Sequence, residues 1–165
     1  MDCNEKIPIP KIEGYECFAC GTANPIGLKL QFYRLGDNIC TEIDLGKYHV
    51  GWSNISHGGI ISTILDEVMS WTVLYFKRIF FVTRRMEVKY IRPIFVGTQL
   101  TAEGSIVGCM EGKKIKVKGS IRDNNGNLMA RSTGEFVAIL KEEMPPIFEG
   151  AKEEIFLMID NLPPL

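Results

Sequence analysis

A chain of 165 residues is long enough for one domain with a full core and too short for two ordinary ones. At 45% hydrophobic and 24% charged residues, a disordered or fibrous chain is excluded. Nineteen basic against twenty acidic residues leave a net charge of −1, which argues against a polyanion-binding face and a nucleic-acid partner.

The N-terminal stretch MDCNEKIPIPKIEG has no basic-then-apolar leader pattern, and no apolar run approaches the length of a membrane span. Five cysteines, at 3, 17, 20, 40 and 109, are an odd number at irregular spacing. A reducing cytoplasm is the simpler expectation than a disulfide framework. Prolines and glycines interrupt any period through residue 27. LKLQFYR (28–34) alternates Leu28, Leu30 and Phe32 against Lys29, Gln31 and Tyr33; after the turn LGDN, Ile39, Thr41, Ile43 and Leu45 share a face. Both segments read as half-buried strands of a hairpin.

The one long helical pattern runs over roughly 57–76, with Ile61, Ile64, Leu65, Val68, Thr72, Tyr75 and Phe76 on one face and apolar residues on the others. A helix apolar nearly all round must be enclosed by other structure. Four alternating strands follow: FVTRRMEVKYIRP with Met86, Val88 and Tyr90 inward, TQLTAEGSIV, KKIKVKGSI and LMARSTGEFVAIL. MEGK and DNNGN supply the Asn and Gly that tight hairpins need. The order β-β-α-β-β-β-β predicts an α+β fold, a curved antiparallel sheet wrapped around one central helix. Residues 1–140 form that domain, and 141–165 a tail ending in a short helix bearing Ile155, Met158, Ile159 and Leu162.

His57-Gly58-Gly59 opens the helix. First-turn N–H groups lack intrahelical partners and lie at the positive end of the dipole, and glycine lets another oxygen approach them closely. That makes an oxyanion site of the kind that stabilises acyl-transfer intermediates. Asp66, embedded among apolar residues, is its chemical counterpart, because a desolvated carboxylate can serve as general base or nucleophile. The plainer alternatives are a structural Asp satisfying an arginine or amide, and glycines marking tight helix-to-sheet contact. Gly58 and Asp66 are separated by ~12 Å of helix axis, too far to act on one carbonyl. A second helix running antiparallel across a two-fold axis would supply the missing half, so shared sites at a homodimer interface are expected.

HGGIISTILDE resembles the signature of hotdog-fold acyl-CoA thioesterases of the phenylacetate-pathway (PaaI-like) group, in which Asp follows His by nine residues as Asp66 follows His57. The element order is also the hotdog order; VKYIRPIFVGTQL and CFACGTANPIGLKLQF are similar to segments of that group, so that the resemblance spans residues 15–140. It implies that Gly58, with Gly59, donates to the thioester oxygen, that Asp66 activates water or attacks, that His57 positions the thioester or its loop, and that Thr83 is the strand hydroxyl ten residues before Pro93. An Asn common six residues before the His is Gly51 here, and Asn54 or Ser53 is the candidate substitute. Asn54 and Thr63 join Arg84, Arg85 and Arg92 as substrate-binding candidates, the arginines for coenzyme A phosphates or simply as a solvated face. The comb Lys114, Lys116 and Lys118 reads as the wet side of its strand. Cys17 and Cys20 form half of a zinc site, but a closed site needs four ligands and the sequence offers no matching pair, so no metal is expected. Two subunits sharing one ion would be the attractive exception. The resemblance thus implies hydrolysis of an acyl-CoA thioester without a cofactor of its own; with the cysteine usage and the helix geometry, the expectation is a cytoplasmic homodimer, with a dimer of dimers (a homotetramer) as the extension. A non-catalytic acyl-CoA sensor and a hydratase on the same fold are the rival readings.

Overall fold

The computed structural model describes residues 5–109, 112–146 and 149–165. In chain order the strands and helices are β1 (Ile7–Pro8), β2 (Phe32–Leu35), β3 (Asn38–Asp44), β4 (Val50–Trp52), β5 (Ile55–Ser56), α1 (Gly58–Lys77), β6 (Phe81–Tyr90), β7 (Gln99–Cys109), β8 (Lys114–Asp123), β9 (Leu128–Ala138) and α2 (Glu149–Asp160). The main sheet has the order β1-β2-β3-β7-β8-β9-β6 and every pairing in it is antiparallel. It curves around α1, the α+β hotdog arrangement expected from the element order. Three short strands escape the periodicity: β1, and the β4–β5 hairpin ahead of α1.

The first expected strand is shorter than its alternation suggests. Leu28 and Leu30 give their N–H groups to the carbonyls of Phe18 and Ala19, and Lys29 between them sits at φ 54°. That left-handed residue ends the extended run, so only Phe32 onward joins the sheet.

Ten residues of α1 are buried, among them Ile64, Leu65, Val68, Met69, Val73 and Tyr75 with no exposed surface. By length and composition this 20-residue helix could cross a membrane, contrary to the reading of its sequence. Its enclosure by the sheet accounts for that apolar character instead. The close seating depends on glycines in successive central strands, Gly104, Gly119 and Gly134. A Cβ on Gly104 would lie 2.4 Å from Thr72 Oγ1 and 2.8 Å from the Val68 carbonyl oxygen; one on Gly119 would meet Met69 Cγ at 3.1 Å. Side chains there would hold the helix off the sheet.

Arg78, at φ 54°, closes α1 by donating its N–H to the Leu74 carbonyl. Its guanidinium reaches the carbonyls of Ile159 and Leu162 at 3.3 and 3.2 Å, and that of Pro163. Tyr75 donates to the Pro164 carbonyl at 3.1 Å. These bonds and the burial of Met158 and Leu162 fix the C-terminal segment against α1.

Candidate active site

The start of α1 is held by local bonds. His57 has extended backbone (φ −63°, ψ 133°) and caps the helix: its Nδ1 accepts the Gly59 N–H at 2.9 Å. Acting as acceptor, that nitrogen carries no proton. His57 in turn gives its own N–H to the His49 carbonyl at 2.8 Å. The Gly59 amide is therefore engaged, and of the two glycines only Gly58 keeps an N–H without a partner among the described residues. Gly51 presses on His57: a Cβ at position 51 would stand 2.9 Å from His57 Cα and 3.2 Å from its Cδ2. The position where the group pattern carries Asn thus has no room here for a side chain. Asn54 and Ser53 are exposed in the β4–β5 turn.

Tyr90, which sequence reasoning placed only among inward-facing strand residues, braces the same turn. Its hydroxyl lies 3.0 Å from the Gly58 carbonyl and 2.5 Å from Ser62 Oγ. A cavity of about 270 Å³ opens there, lined by Ser56, Gly58, Ile61, Tyr90, Arg92 and Ile94 among others. Ser56 Oγ is buried with no hydrogen-bond partner among the described residues. A larger depression of about 450 Å³ includes Lys89, Lys118, Arg122 and Arg131 and shares no residue with this cleft.

Two turns along α1, Asp66 is half-buried and accepts a hydrogen bond from Thr83 Oγ1 at 3.1 Å on Oδ1. Burial raises its carboxyl above the ordinary range, and the Thr83 bond partly opposes that shift. Strict alternation would have put Thr83 on the outer face with Arg85 and Glu87. A bulge at Arg84 prevents this: Thr83 pairs with Phe136 and Met86 with Gly134, so one extra residue lies between two inward positions. The inward turn of Thr83 is therefore a product of strand irregularity.

The remaining candidates divide. Thr63 Oγ1 donates to the Gly59 carbonyl at 2.9 Å within the helix. Arg92 lines the cleft and donates to the Leu128 carbonyl. Arg84 and Arg85 are exposed on β6, and Arg85 lies against Glu87, Lys116 and Glu135 rather than the cleft. Within one chain Gly58 and Asp66 stay two helical turns apart, at opposite ends of β6: Thr83 is near its start and Tyr90 ends it.

Residues 54–130 match the family described as Thioesterase superfamily. A curated relative, verlamelin biosynthesis protein B of a Lecanicillium species, is 26% identical over 68% of this chain; the chain spans only 57% of that protein. Among solved structures, a thioesterase superfamily protein superposes with TM-score 0.65 at 24% identity, over 69% of this chain and 56% of its own. The E. coli PaaI protein from the phenylacetic acid degradation operon gives 0.62 at 15%, covering 68% and 81%. A hypothetical thioesterase from Streptococcus pneumoniae, solved with coenzyme A, gives 0.62 at 15%, covering 67% and 85%. At these identities the structural likenesses establish the fold, and PaaI among them is consistent with the motif. The match to the Thioesterase superfamily thus covers residues 54–130, the stretch that holds Gly58, Asp66 and Thr83, and the fold is the hotdog fold.

Proposed function

We propose that the protein is a homodimeric thioester hydrolase acting on an acyl-CoA, with each active site built from two chains. One observation carries this reading: a Gly58 amide at a helix N-terminus without a partner among the described residues, and a half-buried carboxylate, Asp66, tethered to the edge strand. Strand β6 is an outer strand of the sheet, ten residues long, with one side unpaired among the described residues. A free edge of that length is a template for pairing with a second chain. Antiparallel pairing of two β6 strands about a two-fold axis between Arg85 and Met86 would bring the Thr83 end of each beside the Tyr90 end of the other. Asp66, bound to Thr83, would then approach the partner's Gly58, braced by Tyr90. Exposed Tyr48, Trp52, Tyr90 and Phe95 near the helix start supply apolar surface for such contact.

In the reaction, the thioester carbonyl oxygen accepts the Gly58 N–H of one protomer. Asp66 of the other takes a proton from water as the water oxygen bonds to the carbonyl carbon. Oδ1 is held by Thr83, leaving Oδ2 for this exchange. The tetrahedral intermediate places its negative charge on the oxygen at the helix terminus. Its collapse breaks the carbon–sulfur bond, and the thiolate recovers a proton, giving free acid and thiol. Solved likenesses that include a coenzyme A complex support the substrate class, and Arg92 in the cleft is the cation available to its phosphates. A panel of acyl-CoA thioesters with a free-thiol readout tests the reading. Asp66→Asn should lower turnover by about 10²–10⁴-fold with the fold intact. Binding of the thioesters with no thiol release by the unaltered protein, or undiminished release by Asp66→Asn, would refute it.

A further inference from the structure

Beside the carboxylate assigned to hydrolysis, the next helix residue points elsewhere. Glu67 reaches the N-terminal segment, where its carboxylate oxygen and the sulfurs of Cys17 and Cys20 all lie within 4.8 Å of one another. We propose that Cys17, Cys20 and Glu67 bind a thiophilic divalent cation, zinc by preference, with an exogenous ligand such as water in the fourth position.

Four observations support the site. The first is spacing: a tetrahedral centre with bonds near 2.3 Å to sulfur sets its ligand atoms roughly 3.5–3.8 Å apart, so the three need to close only slightly. The second is the turn. In Cys17-Phe18-Ala19-Cys20-Gly21 the Gly21 N–H returns to the Cys17 carbonyl at 2.9 Å. A Cβ on Gly21 would lie 2.4 Å from that oxygen, so the tight turn requires glycine. The turn brings the sulfurs of Cys17 and Cys20 within 4.8 Å of each other. Cysteine ligates metals as the thiolate, so binding would release the thiol protons.

The third is charge. Cys20 is buried and Glu67 is held by Trp71 Nε1 at 3.0 Å. Three groups able to carry negative charge thus share one half-buried place. The Lys11 amine beside them donates to the carbonyls of Cys20 and Leu30 at 2.8 and 2.9 Å. With both thiols and the carboxyl ionised, a divalent cation and Lys11 together bring the sum to zero. The fourth is room: a cavity of about 210 Å³, lined by Tyr15, Glu67, Ser70, Trp71 and Phe81 together with both cysteines, leaves space for the exogenous ligand. Two sulfur donors select against magnesium and calcium, which take oxygen ligands.

The cation would bind the irregular segment 15–21 to the middle of α1. This is a different role from thioester hydrolysis and does not depend on it. The third donor was hidden in the sequence because it is a helical glutamate, which belongs to none of the usual cysteine and histidine ligand spacings.

The test uses the full chain, reduced and stripped of metal, titrated with cobalt(II) and then with zinc(II). One cobalt per chain should bind, with a near-ultraviolet thiolate-to-metal band and the intense visible bands of a tetrahedral centre, and zinc should displace it. Zinc should also raise the melting temperature by mass action. Cys20→Ser and Glu67→Gln should each weaken binding by at least about 100-fold, as loss of a direct ligand demands at minimum. A Cys3→Ser/Cys109→Ser double variant should keep full stoichiometry. Absence of a thiolate band in the unaltered protein, or unchanged affinity in Glu67→Gln, would overturn the proposal. If Cys20→Ser does not fold, those two measurements still decide it.

Discussion

Replacing Gly104 by Ala tests how tightly the helix lies in the sheet. The added Cβ would stand 2.4 Å from Thr72 Oγ1, 2.8 Å from the Val68 carbonyl oxygen and 3.2 Å from its carbonyl carbon. Thr72 Oγ1 is itself committed to the Val68 carbonyl at 2.7 Å, so neither oxygen can withdraw alone. Relief therefore requires α1 to move away from β7, and overpacking of that kind costs about 2–3 kcal/mol. For a domain of this size that corresponds to a fall in melting temperature of roughly 4–12 °C. Gly119→Ala is the matched comparison, because its nearest neighbours are the flexible Met69 Cγ at 3.1 Å and Leu65 Cδ2 at 3.3 Å. It should cost less than about 1 kcal/mol, since side chains can shift by a few tenths of an ångström and alanine restricts the unfolded chain. Adding Thr72→Ala to Gly104→Ala should recover only part of the loss, as the Val68 carbonyl remains in place. Equilibrium urea unfolding and thermal melts read all four proteins. Equal penalties for the two alanines would refute the described seating of the helix.

Other expectations concern the site and the tail. Gly58→Pro removes one N–H at the first helical position, where proline is well tolerated and the extended His57 backbone is compatible with it; turnover should fall by about 10²–10³-fold with little change in melting temperature, measured by thiol release and circular dichroism. Tyr90→Phe loses the hydroxyl bonds to Gly58 and Ser62 and should lower kcat/KM by about tenfold in the same assay, whereas an unchanged value would remove Tyr90 from the site. Thr83→Val, which frees Asp66 Oδ1, should reduce kcat about fivefold, near the worth of one hydrogen bond. Arg78→Gly keeps the left-handed backbone but releases the carbonyls of residues 159, 162 and 163, so limited proteolysis should cleave the C-terminal segment faster.

The architecture was legible because period-2 strands and one all-round apolar helix leave few ways to pack. Inward residues such as Ile39, Ile43, Val117 and Ile121 are buried as their alternation requires. What periodicity could not convey were local departures from it. Lys29 turns left-handed because residues 28 and 30 pair with the preceding segment, which shortens the first long strand. The Arg84 bulge turns Thr83 inward, an outcome that depends on cross-strand register with Phe136 and Gly134. Within the site, the glycines at the helix start could be read, but the His57 ring that occupies the Gly59 amide could not, because a side chain's choice of partner is three-dimensional. Tyr90 and Glu67 were hidden differently: each fits an ordinary role in its element, and only the fold brings it against Gly58 or Cys17.

The sharing of each site between two chains can be measured directly with a mixed dimer of Asp66→Asn and Gly58→Pro chains, isolated through two different tags. Each variant alone should be nearly inactive. If the Gly58 amide of one chain faces Asp66 of the other, the mixed dimer holds one intact site and should show roughly half the unaltered dimer's activity, by the two equivalent sites of a two-fold assembly. Thiol release no greater than that of the two parent variants would contradict the account.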